Sequence, residues 1–139
     1  SLGAMYLKLR NDGRATQVGN YLSANFLANA RTAPALSNTY TFGFKPFNAA
    51  GSPDIVWAEG TIQAKIALAR LGLSTTYASY AVANLALQTA SFTKAPPQAD
   101  QNIVTGDLSW GEYHTWPASA AASWMVMLTA GEGDQLFKK

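Results

Sequence analysis

The chain has 139 residues, 48% of them apolar and 13% charged, with a formal charge of +2; this is one domain's length with ample material for a core, and it excludes a disordered chain. The absence of cysteine and the single histidine, His114, exclude disulfides, thiolate zinc sites, cysteine nucleophiles and a multi-histidine metal centre within one chain, so neither metal nor cofactor is expected. Apart from the terminal Lys138-Lys139 pair the cations are scattered, which leaves no basic stripe for a nucleic acid to follow.

The N-terminal residues Ser1-Leu2-Gly3-Ala4-Met5 have neither a basic region nor a long apolar run, so no signal peptide is visible in the chain. A short helix over residues 5–10 leads to a longer one over residues 14–30, where Val18, Tyr21, Leu22 and Phe26 recur at helical spacing. Residues 31–53 mix Pro34, Pro46, Gly43 and Gly51 with Tyr40, Phe42, Phe44 and Phe47. Turn chemistry dominates there, and the segment reads as a long ordered loop with at most one short strand pair, its phenylalanines pinning it to the helices.

From about Asp54 to Leu71 the pattern is helical, with Ser52, Pro53 and Asp54 as start signals and Gly72 as the stop. Gln63, Lys65 and Arg70 leave it only a narrow polar edge, so this helix should be mostly buried. Ser74 or Thr75 can cap the next helix, reaching Phe92, and the short connection implies an antiparallel hairpin. A second long connection, residues 93–116, is interrupted by Pro96-Pro97, Gly106 and Gly111; loops longer than about 15 residues are uncommon in compact domains and often functional. Pro117 suits the first turn of a last helix over residues 118–130, which contains no charge and should be covered by neighbours on every side. Residues 117–131 are too few and too rich in Ala and Ser to span a bilayer. The chain reads as soluble, with no membrane partner.

Two clusters carry the functional signal. Asp54, Trp57 and Glu59 stand at the mouth of one largely apolar helix, and Trp110, Glu112, Tyr113, His114 and Trp116 lead into another. Aromatic faces pack on the C–H faces of sugars and carboxylates hold hydroxyls or move protons, so the pair of clusters suits a carbohydrate cleft. Each residue also has a plainer role: acids in a first helical turn complement the dipole, aromatics at helix starts serve as hydrophobic staples, and a histidine among aromatics is often a hydrogen-bonded structural group. Gly60 admits either a ligand or a close-packed neighbour. Trp124 belongs to the core, and Ser119 and Ser123 lack a nucleophile-elbow pattern.

The segments Asp54-Ile-Val-Trp-Ala-Glu-Gly-Thr-Ile-Gln-Ala and Tyr113-His-Thr-Trp-Pro-Ala-Ser-Ala-Ala-Ala-Ser-Trp resemble segments of bacterial proteins of the six-hairpin (α/α) toroid type, among them many glycoside hydrolases. The resemblance spans roughly residues 52–130. It implies an all-α fold of antiparallel helical hairpins with long loops at one end, like part of an (α/α)6 toroid, and a secreted carbohydrate-active protein, extracellular or periplasmic. It further implies Glu59 as proton donor, Glu112 or Asp107 as its partner carboxylate, and Trp57, Trp110, Tyr113, His114 and Trp116 lining sugar subsites. Glycoside hydrolysis uses two such carboxyl groups, with a spacing that sets the mechanism. A complete toroid needs far more helices than this chain supplies, so residues 1–139 form either a fragment of a longer protein or a separate helical domain. A fragment would expose helix flanks and favour a homo-oligomer or the missing remainder of its own chain. The alternative function is a non-catalytic helical interaction or oligomerisation module using the same aromatics as an interface.

Overall fold

The computed structural model describes residues 1–28, 31–32, 40–41, 43–73, 98–99, 112–114 and 118–129. Within them lie four helices, α1 (Leu2–Leu9), α2 (Arg14–Asn25), α3 (Ala58–Arg70) and α4 (Ser119–Thr129). A ladder of two-residue strands, β1 (Arg31–Thr32) and β2 (Tyr40–Thr41), pairs Arg31 with Thr41 and Thr32 with Tyr40 in antiparallel register. The architecture is therefore all-α, with the short strand pair expected in the first long loop. The helix expected from Ser74 or Thr75 to Phe92 lies outside the described residues, as do Phe42 and Pro117.

Two of the helices end in the same way. Asn11 after α1 and Gly72 after α3 have φ of 54° and 70°, the left-handed conformation in which glycine and asparagine are least strained. Asp12 N–H then reaches Leu7 O at 3.0 Å, and Leu73 N–H reaches Leu68 O at 2.9 Å, satisfying last-turn carbonyls in the Schellman manner. Gly72 is thus the expected stop. Between α1 and α2, Asp12 Oδ1 accepts the Arg14 N–H at 2.9 Å and the carboxylate pairs with the Arg14 guanidinium. Those hydrogen bonds hold the Asp12 carboxyl down at about 2.

The start of α3 departs from the expectation. Residues 54–56 are not helical, and the N-cap is Trp57, in extended geometry at φ −89° and ψ 112°. Ile55, Val56 and Trp57 are residue types that favour extended backbone, and hydrogen bonds hold them there: Trp57 N–H donates to Phe44 O at 3.0 Å, Ala58 N–H donates to Gln98 O at 2.9 Å, and Trp57 bridges to Ala99. Asp54 is consequently three residues short of the cap. Helix α2 also stops early, at Asn25, whose side-chain amide takes the Tyr21 carbonyl at 2.9 Å, the local competition by which asparagine unwinds a helix end. Leu27 then bridges Phe44.

Helix α3 is the axis of the core. Nine of its residues are buried; Ile62 and Ile66 pack with Met5 of α1 and with Ala121 and Met125 of α4, while Ala64 and Leu68 pack with Phe44, Leu22 and Phe26. Gln63, expected on a polar edge, is only 6% exposed, and Ala69 is on the exposed side. Helix α2 turns Ala15 and Gly19 inward rather than Val18 and Tyr21. A Cβ on Gly19 would lie 2.6 Å from Leu73 Cδ1 and 2.7 Å from Leu71 Cδ1, so the missing side chain sets how closely α2 approaches the end of α3. Helix α4 is not enclosed on every side as its composition implied: Ser119, Ala120, Ser123 and Val126 are exposed, and small Ala and Ser side chains make that face inexpensive to hydrate. Trp124 is partly buried against the α3 cluster.

Candidate functional site

Trp57 and Glu59 come together where the extended 54–57 segment turns into α3. The indole of Trp57 lies across Gly60: a Cβ there would overlap Trp57 Cε3 and lie 2.6 Å from Cζ3. Gly60 therefore admits the tryptophan of its own chain, which answers the choice between ligand approach and close packing in favour of packing. Glu59, two residues after Trp57, shares a helix face with Gln63 at i, i+4 spacing. Gln63 Nε2 donates to Glu59 Oε1 at 3.0 Å, and Gln63 Oε1 accepts the Ser1 hydroxyl at 3.0 Å. The carboxylate is held at the first turn of α3, where the helix dipole favours negative charge.

Trp57 and Glu59 line a cleft of about 280 Å³ together with Gln98 and the start of α4, Ala118 to Ala121. The alanines leave room where larger side chains would fill it. First-turn N–H groups of a helix have no intrahelical partner, so this wall offers donors as well as the Ser119 hydroxyl. One aromatic face, one carboxylate, one carboxamide and one hydroxyl around a small open volume form a polar set suited to a polyhydroxylated ligand. Nothing in the sequence singles out Gln98 as a site residue. Its backbone carbonyl accepts Ala58 N–H and its side-chain Oε1 accepts His114 N–H at 3.0 Å, so one residue ties the second cluster to the mouth of α3. The only local signal is its position directly after Pro96-Pro97, which marks a turn and not a site.

The second cluster divides. Tyr113 is 8% exposed and packs with Ile55 and Ala99; burial pushes its phenol up and leaves little ring for a ligand to stack on. His114 is partly buried, and its Nε2 stands 3.4 Å from Glu112 Oε2, whose side chain is half exposed. His114 O also accepts Ala99 N–H at 2.9 Å. Glu112 is thus oriented by His114 beside the segment that carries Gln98, but it is not among the residues lining the Trp57–Glu59 cleft. Asp107, Trp110 and Trp116 lie outside the described residues. Among the described residues no group of three or more His, Cys, Asp or Glu converges as a metal site, and no helix is long and apolar enough to cross a membrane.

Trp57 lines a second cavity, of about 350 Å³, with Gly60, Phe44, Lys45 and residues of α2. Its outer wall is fixed by hydrogen bonds. Phe44 N–H donates to the fully buried Thr61 Oγ1 at 2.9 Å, Lys45 N–H donates to Phe26 O at 2.7 Å, and Asn48 Nδ2 donates to the Tyr21 hydroxyl at 3.1 Å. Compared with known proteins, the chain matches no family model, and no curated protein or solved structure shows significant similarity to it.

Proposed function

We propose that the chain binds a carbohydrate in the Trp57–Glu59 cleft, as part of a secreted carbohydrate-active protein whose helices form a portion of an (α/α) toroid. The observation that carries this reading is the convergence of Trp57, Glu59, Gln98 and Ser119 on one small cleft. The indole would take the apolar face of a sugar ring, Glu59 and Gln98 would hold hydroxyls, and the α4 turn would close the far side. A glycoside hydrolase-like activity extends the same reading. Glu59 would then donate the proton and Glu112, steadied by His114, or Asp107 would be the partner carboxylate, at a separation of about 5 to 10 Å.

The test is a glycan-array and polysaccharide-hydrolysis screen on the folded chain beside Glu59→Gln. The amide keeps an oxygen for the Gln63 bond while removing the charge, so a bound glycan should weaken by about 1 kcal/mol, roughly fivefold, the difference between charged and neutral hydrogen bonds. Cleavage, if present in the parent, should be lost in the variant. Glycan affinity unchanged by Glu59→Gln, or no glycan bound by a monodisperse folded chain, would contradict the proposal and favour the helical interaction module. Leu2 and Tyr6 of α1 and Val126 of α4, exposed by 48%, 61% and 64%, are large apolar side chains that such a module would use.

A further inference from the structure

We propose that the second cavity, on α2 beside Trp57, is a binding site for a small apolar carboxylate, an aromatic or short-chain aliphatic acid, distinct from the carbohydrate cleft. Three observations converge on it. Helix α2 leaves Val18 and Tyr21 out of the core, 36% and 56% exposed, although both are large and apolar; both line this cavity, with Leu22, Phe26 and Phe44. The wall is built before any ligand arrives. Tyr21 is fixed by Asn48 and by an edge-to-face contact with Phe26 at 6.2 Å, and Phe44 is fixed by Thr61 on one side and by Trp57 N–H on the other. Fixed walls reduce the ordering that binding requires.

The third observation is charge. Among the described residues that line the cavity, Lys45 carries the one charged side chain and none is acidic; Ser1 lines it as well, its hydroxyl donated to Gln63. An apolar volume of about 350 Å³, inside the size range of small-ligand sites, with one cationic side chain and no acidic one among its described lining residues, selects a ligand with an apolar body and one negative group. A sugar would leave its hydroxyls unpaired against Phe26, Phe44 and Val18. A neutral hydrocarbon would leave the ammonium unused. A carboxylate gives Lys45 a charge-assisted partner.

The experiment is isothermal titration with 1-naphthoate and its neutral counterpart 1-naphthalenemethanol, on the parent chain, on Lys45→Met and on Val18→Glu, with circular dichroism on each and light scattering across the concentration range used. Val18 lies outside the core, so its variant keeps the fold. The parent should bind naphthoate about tenfold more tightly than the alcohol, the size of one charge-assisted hydrogen bond. Lys45→Met should remove most of that preference, and Val18→Glu should weaken naphthoate more than the alcohol. Equal affinities in the parent, no saturable naphthoate binding, or a preference untouched by Lys45→Met would overturn the proposal. A concentration-dependent dimer abolished by Val18→Glu would overturn it too, assigning the cavity to a second copy of the chain.

Discussion

The two cavities that share Trp57 are built from the same short stretch of chain and yet differ in chemistry. The cleft on the α4 side is walled by Glu59, Gln98 and the small residues Ala118 to Ala121; the one on the α2 side is walled by Phe26, Phe44, Val18 and Lys45. Trp57 supplies an aromatic surface to both, so it does not decide what either binds. The deciding residues come from partners brought in from far along the sequence, α4 and Gln98 for one and α2 with residues 44–46 for the other. An aromatic residue at a helix start marks a place where cavities can form, and the surrounding polar or apolar groups would set which ligand each favours in the two proposals above.

The sharpest way to break the comparison is to disturb one wall without the other. Thr61→Val removes the acceptor for the buried Phe44 N–H while nearly preserving shape, so it should destabilise the chain by about 1–3 kcal/mol, the usual cost of a buried donor left unsatisfied. Urea denaturation measures that loss, and Thr61→Ser should recover most of it. Since Phe44 lines the α2-side cavity and not the α4-side cleft, naphthoate binding should suffer more than glycan binding.

Gly60→Ala acts on both. The added Cβ would overlap the Trp57 indole, forcing the ring to move at a cost of about 1–3 kcal/mol, partly offset by the roughly 1 kcal/mol gained from alanine over glycine in a helix. The net change in stability should be small, and both ligands should weaken together. A variant that loses one ligand alone would show that the cavities do not depend on a common indole position.

The smallest effect belongs to a residue in neither wall. Asp12, paired with Arg14, has its carboxyl lowered from 3.8 to about 2. Its contribution to stability is therefore present above 3.8 and is lost as pH falls toward about 2, because the folded chain then takes up the proton more reluctantly than the unfolded one. In Asp12→Asn the melting temperature should fall less steeply across that interval than in the parent, with both ligand affinities at neutral pH unchanged.

Much of this arrangement was legible in the sequence. The apolar repeat of Ile62, Ile66 and Leu68 with Gly72 behind it gave α3 and its end, and the acid beside the tryptophan drew attention to the cleft. The start of α3 was not legible, because Asp54 satisfies a capping pattern while the β-branched pair Ile55-Val56 satisfies an extended one, and pairing with residues 44 and 98–99 decides between them. The face of α2 is legible in part: Leu22 and Phe26 pack on the core, but Val18 and Tyr21 do not, because Gly19 and Ala15 are buried where close approach is needed and hydrophobicity alone does not favour them. Gln98 carried no signal of its own, since its role depends on meeting Ala58 and His114 in space.

The most direct measurement is a nuclear magnetic resonance titration of the isotope-labelled chain with a glycan fragment selected from the array. The account predicts saturable shifts of the Trp57 indole N–H, the Gln98 side-chain amide and the backbone amides of Ser119 to Ala121, with Leu22 and Phe26 on the far side unchanged. Saturable binding whose shifts fall on α2 or on the exposed side of α1, leaving Gln98 and the α4 turn still, would contradict it.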